Sequence, residues 1–531
     1  MQPSALAKRV YLAGFLVIIA LYLFGLGYLP LLGPDEPRYA QVAREMLLRG
    51  DLITPTLGGH TWFEKPALLY WMIIAAAKVF GMNEFSARLG PALCGLLTVA
   101  AVWFVGREVE RARGVRGFAY SAALVTGSCL GLIVFSRAAS FDVVITMTNS
   151  WSLAFFLAHE LASNKRRRSW LLVGFYIFVG LSLLAKGLVG IVIPFGVLGF
   201  YYLLRRRWPA RNVWVSLGWG VPLALAVSAT WYGPVIAKHG WTFINEFFIQ
   251  HHFARYVSNK YKHPQPLYFF PAIILMLTLP WTGFLIDALA RVRSWKWRGD
   301  DSESIVRVFA LAWLLLPIVF FSFSGSKLPG YVLPALPAAT LLIGDRLASP
   351  LNWPLRVTGV ICFILGVGGI VYAAQSGQVS MTCAIVVAVP MIAAAIGAFV
   401  LRANTAIPIV SAGIFIQVVA LLTCAAPRIA QRESVRDLLA LADSRGYANA
   451  PVLAQKTDDR SAQFYAHDRV LYDNHGEVVT FDEVTVDQAR AISGKWLVLV
   501  PLDYAKEIGD APGLEVIGDN GRTAILGWTP R

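Results

Sequence analysis

Two adjacent carboxylates and an arginine stand in Gly33-Pro34-Asp35-Glu36-Pro37-Arg38-Tyr39-Ala40, directly after the first long apolar run. Charge that close to hydrocarbon is costly unless it faces water, a partner or a substrate. Read alone, the stretch is also compatible with a hydrophilic loop that ends a helix. The same residue types recur, however, beside later apolar runs. Glu64 and Lys65 stand in WFEKP, Arg137 and Asp142 in SRAASFD, and Lys186 in LLAKG. Glu246, His251, His252, Arg255, Lys260, Lys262 and His263 follow in one polar stretch, then Lys327 and Tyr331 in KLPGY. Lysine and arginine neutralise a phosphate, and a carboxylate orients or deprotonates a nucleophile. Gathered on one face, these residues would suit an anionic substrate. Each also has a plainer role. Arg137 and Asp142 could form a structural ion pair, Lys186 could snorkel from a helix end, and His252 and His263 could be solvated loop histidines. No serine stands in a nucleophile-elbow context. His251 with Glu64 is compatible with a zinc site, but the spacing is not diagnostic.

The elements that must position these residues are apolar. Of 531 residues, 56% are hydrophobic, which marks a membrane protein rather than a soluble core. Candidate spans fall at about 10–32, 87–107, 117–136, 141–162, 170–185, 188–204, 213–236, 267–291, 304–323, 331–348, 356–374, 381–402 and 405–426. The net charge of +15 does not point to nucleic acid. Its arginines and lysines cluster in loops that orient spans. Residues 66–81 are apolar too, but a crossing there would put Arg107, Arg111, Arg113 and Arg116 outside. Read instead as an interfacial helix with Tyr70 and Trp71 at the boundary, the segment leaves those arginines inside. Lys165-Arg166-Arg167-Arg168, Arg205-Arg206-Arg207 and Arg291 to Arg298 then fall inside as well. Thirteen spans take a cytoplasmic N-terminus to an external C-terminus, and the charged candidates collect on the outer face. Lys186-Gly187 divides a long apolar run, and basic residues at its two ends favour two spans. The five cysteines all sit in apolar segments and read as small buried side chains, with no disulfide framework.

From about Gln431 charged residues become frequent and the patterns short. The periodicity predicts a helix over Ser434–Ser444, strands at Pro451–Gln455, Val470–Tyr472 and Trp496–Pro501, and a helix over Asp487–Ile492. A last hairpin joins Val516–Ile517 to Ala524–Trp528. The expected organisation is an all-α polytopic domain over 1–428 and a small α/β domain outside the membrane over 429–531.

The DEPRYA stretch, WFEKPALLYW, SRAASFDVVIT, LLAKG, EFFIQHHFARY and SKLPGYVLPALP, in this order, resemble the lipid-carrier-dependent sugar transferases of the GT-C class. Within that class they are most similar to the bacterial aminoarabinose transferases of lipid A. The resemblance covers about residues 10–350, with a similar small C-terminal domain. It implies a GT-C bundle of about thirteen spans with juxtamembrane helices, in the bacterial inner membrane with its site facing the periplasm. The implied donor is a sugar on a polyprenyl phosphate, and the acceptor is lipid A or another periplasmic acceptor. The partners are lipids, with no nucleic acid. Asp35 and Asp142 match the acidic residues of the family. Lys65, Lys186, Arg255 and Tyr331 match positions that hold the carrier phosphate, with Lys327 and Arg38 as further cations. Glu64 and His251 match a site for a divalent metal (zinc, magnesium or manganese). The chain departs from the family at His252, where relatives often carry asparagine. Competing readings are a GT-C transferase acting on protein or another glycan or lipid, and a transporter of a lipid-linked anion. A transporter should place ionisable residues near the midplane in broken helices, often with an internal repeat. Here the charges sit at span ends, and no repeat is evident.

Overall fold

A computed structural model describes residues 5–254, 265–347, 353–454, 460–473, 478–479, 494–508 and 513–529. The chain forms two compact units: Met1–Phe24, Glu64–Leu69 and Gly90–Ala420 make one, and Gly25–Phe63, Tyr70–Leu89 and Leu421–Arg531 make the other.

The first unit is helical. Among the described residues, eight helices of the chain are long and apolar enough to cross a membrane. They include Glu84–Arg113, Phe141–Leu161, Lys165–Lys186, Ser302–Ser322, Trp353–Ser376 and Met381–Val400. The chain is a multi-pass membrane protein. Each of the thirteen apolar segments contains helix, the first only as far as Leu23, but they are not thirteen single long helices. Segment 117–136 is a bent pair, Phe118–Ser128 and Leu130–Ser136, meeting at 59°. Segment 267–291 divides into Phe269–Leu277 and Thr282–Ala290. Pro280 lies in that break, where it can donate no ladder hydrogen bond. Segment 331–348 divides into a 3₁₀ turn, Pro329–Ala335, and a helix, Leu336–Leu347. Residues 66–81 supply the helix Leu68–Phe80. At about 1.5 Å per residue it is well short of the ~30 Å hydrocarbon layer. The Lys186-Gly187 division is a true break, because Lys165–Lys186 and Val189–Arg205 are separate helices. Gly187 turns the chain at φ 68°, ψ −143°, a conformation that only glycine adopts at low cost. Cys94, Cys129 and Cys362 are buried thiols. Cys383 and Cys424 are disulfide-bonded, contrary to the expectation from their apolar settings.

The second unit joins the first polar loop to the C-terminal residues. Its helix Asp35–Arg49 carries acids in its first turn and Arg49 in its last, in keeping with the helix dipole. Gly50 ends it in the left-handed conformation, and Asp51 N–H donates to Met46 O at 3.1 Å. One face of this helix packs on Ala462–Tyr465. Arg44 donates to Phe464 O at 2.6 Å, and its guanidinium lies 3.8 Å from the Phe464 ring. Tyr465 Oη accepts from Leu31 N–H at 2.8 Å and donates to Glu84 at 2.9 Å. The sheet places Val452–Ala454, Trp496–Pro501, Thr523–Trp528 and Leu514–Asp519 side by side in that order. The first pair is parallel and the other two are antiparallel. The expected strand at Val470–Tyr472 is reduced to single bridges at Val470 and Tyr472. The expected helix over 487–492 lies outside the described residues.

His467 gives this unit a pH dependence. Burial, then the nearby Arg44 and Arg469, hold its imidazole below the usual histidine range, while Asp468 and Asp443 act the other way. The unfolded chain therefore binds the proton first as pH falls. Stability is full above the ordinary histidine value near 6.5 and declines below it, down to the lower folded value. His467 adopts φ 48°, which asparagine tolerates. His467→Asn should flatten this slope in unfolding measured between pH 7.5 and 5; an unchanged slope would assign it to other groups.

Candidate active site

Two helix ends meet in the first unit. Asp142 stands in the first turn of Phe141–Leu161, behind the N-cap Ser140, whose Oγ accepts Asp142 N–H at 3.1 Å. Lys186 is the last residue of Lys165–Lys186. A carboxylate at a helix N-terminus and an ammonium at a C-terminus are each stabilised by the dipole. Both helices can therefore carry charge there although both side chains are mostly buried, at 19% and 14% exposure. Lys186 Nζ donates to Asp142 Oδ1 in a short contact. The ring of Tyr331, from the Pro329–Ala335 turn, lies 4.6 Å from the same ammonium. That turn approaches so closely that a Cβ on Gly330 would collide with Asp142 Oδ2. The glycine of KLPGY is thus what lets the turn close over the ion pair. Gly330→Ala should lose ~1–3 kcal/mol of stability, the usual cost of overpacking. It should also displace the pair and reduce activity; thermal unfolding alongside an activity assay checks both.

Lys65 donates to Glu64 Oε1 at 2.8 Å, both side chains being mostly buried. Lys327 reaches Gln265 O at 2.6 Å. Arg137 donates to Leu21 O at 2.8 Å and Phe24 O at 2.6 Å, closing the end of the first helix. The acid beside it, Asp142, takes Lys186 as its partner. His251 is half-buried in the wide-turned helix Ile244–Ala254, and Arg255 lies outside the described residues. Among the described residues no group of three or more His, Cys, Asp or Glu side chains gathers to hold a metal ion.

Asp35 and Arg38 belong to the second unit. Arg38 donates to Asp35 Oδ1 at 2.7 Å, and its guanidinium lies 5.5 Å from the Trp62 ring. Asp35 is 53% exposed, open to a ligand. Glu36 accepts from Arg88 at 2.8 and 2.7 Å and, from the loop backbone before the helix, from Leu32 N–H at 2.9 Å. Arg88 also donates to the carbonyls of Leu26, Leu29 and Pro30. It had a signal in the sequence as the one charge between Glu84 and Arg107 of an otherwise apolar run.

A helical membrane unit with buried ions at its helix ends, and a small mixed-sheet module beside the first loop, define the GT-C class of fold. A family model described as dolichyl-phosphate-mannose-protein mannosyltransferase matches residues 9–244. The undecaprenyl phosphate-alpha-4-amino-4-deoxy-L-arabinose arabinosyl transferase of Pseudomonas aeruginosa (strain UCBPP-PA14) is 34% identical over 348 residues, 63% of this chain and 60% of that one. Transferase 2 of the same description from Pseudomonas fluorescens (strain Pf0-1) is 29% identical over 362 residues, 66% of this chain and 62% of that one. This chain thus spans about three-fifths of the length of the curated relatives it matches. ArnT from Cupriavidus metallidurans, in its crystal structure bound to undecaprenyl phosphate, superposes with a TM-score of 0.79 at 23% identity, covering 100% of both chains. The motifs and these likenesses agree on the fold, which is similar to that of the bacterial aminoarabinose transferases.

Proposed function

We propose that this chain is an integral membrane glycosyltransferase. It moves a sugar from a polyprenyl phosphate to lipid A or a related acceptor on the periplasmic face of the bacterial inner membrane. The sugar we favour is 4-amino-4-deoxy-L-arabinose, the one in the relatives' descriptions. The observation that carries the reading is Lys186, a mostly buried cation held by Asp142 against Tyr331 at the end of two helices.

In this reading the acceptor oxygen attacks the anomeric carbon, and the bond from that carbon to the carrier phosphate oxygen breaks. The bonding pair stays on the phosphate, and the configuration inverts. Negative charge grows on the leaving phosphate, so pre-placed cations stabilise the transition state more than the ground state. Lys65, Lys186 and Arg255 take that role, with Tyr331 as a hydrogen-bond donor and Lys327 and Arg38 as further cations. Asp142 holds the Lys186 ammonium in place. A hydroxyl acceptor needs a base, which is Asp35. A phosphate acceptor has no proton to lose, and Asp35 then grips the ammonium group of the donor sugar.

The test is mass spectrometry of outer-membrane lipid from cells making equal amounts of wild-type, Asp35→Asn or Lys65→Ala protein. A mass increment equal to one sugar should depend on the wild type and vanish with either variant. Loss of the variant proteins from the membrane would make the residues structural, and lipid unchanged by the wild type would end the lipid-acceptor reading.

A further inference from the structure

We propose that a second lipid site, for an anionic glycerophospholipid, lies at the other end of these helices. A cavity of about 540 Å³ opens between Phe141–Leu161, Lys165–Lys186, Val189–Arg205 and the start of Arg211–Phe243. Its volume falls within the roughly 300–1,000 Å³ of small-ligand sites. Phe156 on its wall is 14 residues beyond Asp142 on one helix, about 21 Å along the axis. This cavity is therefore distinct from the candidate active site.

The lining is largely apolar and aromatic and includes Phe156, Phe175, Phe195 and Leu198. The Tyr202 hydroxyl, a polar group on the wall, already donates to Glu160 at 3.1 Å. Water finds few partners there, and an acyl chain fits the chemistry better. The rim is cationic and aromatic. Arg207 is engaged by Asp300 and by Arg298 O. Arg206 is exposed, and its side chain has no hydrogen bond or ion pair among the described residues. Trp208 and Trp214, 86% and 50% exposed, stand beside it with ring centroids 6.4 Å apart. Exposed tryptophans mark the interfacial level of a membrane. A basic rim over an apolar cleft between spans suits an anionic headgroup with its chain inserted. The charge reading places this rim on the cytoplasmic side.

Two substitutions separate head from tail. Gly199 lines the cavity, and a Cβ there meets nothing within 4 Å, so Gly199→Phe should fill the space without a clash at its root. Arg206 has φ 50°, which Arg206→Asn accommodates. Full-length protein, delipidated in detergent, would be titrated with phosphatidylglycerol or with phosphatidylcholine of the same chains and read by native mass spectrometry. The wild type should retain phosphatidylglycerol roughly fivefold better, the effect of one cation facing one anion at a membrane surface. Arg206→Asn should level the two lipids, and Gly199→Phe should lower retention of both. Equal retention of both lipids by the wild type would overturn the proposal. So would full retention by Gly199→Phe, or displacement of phosphatidylglycerol by an equal concentration of polyprenyl phosphate.

Discussion

Lys186→Met is expected to lower the turnover of sugar transfer by about 10²–10³-fold, the ~2.7–4 kcal/mol that one pre-placed electrostatic donor contributes. Methionine keeps the bulk of the side chain and removes the ammonium, with its charge and its hydrogen bond to Asp142. The leaving phosphate becomes more negative in the transition state than in the bound donor, so the loss should fall on kcat more than on KM. Asp142→Asn should cost less, because it loosens the ammonium without removing it. The double variant should be no slower than Lys186→Met alone, since the two residues are in direct contact and act as one unit. Additive losses would give Asp142 its own contact with substrate. Near-wild-type turnover of Lys186→Met would reduce the pair to a structural ion bridge.

The second large effect is on stability. Arg88→Met should destabilise the second unit by about 3–5 kcal/mol, the usual consequence of removing one partner of a buried pair. Glu36 and Arg88 are 9% and 5% exposed, so the remaining carboxylate would sit uncompensated. The carbonyls of Leu26, Leu29 and Pro30 would lose their donor as well. The double variant Arg88→Met with Glu36→Gln removes the stranded charge and should recover part of the loss. Thermal unfolding and limited proteolysis of the two variants would show it. A single variant as stable as the wild type would mean that water replaces the arginine.

Much of the helical plan was legible because hydropathy reports apolar length directly. Every apolar segment proved to contain helix, and Lys186-Gly187 was recognisable as a break from the basic residues flanking the run. The strands Val452–Ala454, Trp496–Pro501 and Thr523–Trp528 fell where alternation and turn residues placed them. Span number was not legible in the same way. A run such as 267–291 has the hydropathy of one crossing whether or not it breaks at Pro280. Partners were hidden for a different reason. Glu36 and Arg88 are 52 residues apart, and only the folded chain brings that guanidinium to that carboxylate. For Asp142, the nearby Arg137 was the obvious partner in sequence, yet Lys186, 44 residues away, stands at the facing helix end. The close approach of Gly330 to Asp142 depends on two elements meeting, which KLPGY alone does not reveal.

Purified protein in lipid vesicles, given a polyprenyl-phosphate donor labelled in its sugar and a lipid A acceptor, tests the central claim most directly. The label should pass to the acceptor while unlabelled polyprenyl phosphate accumulates. Movement of intact donor across the bilayer, with no label on the acceptor, would contradict it.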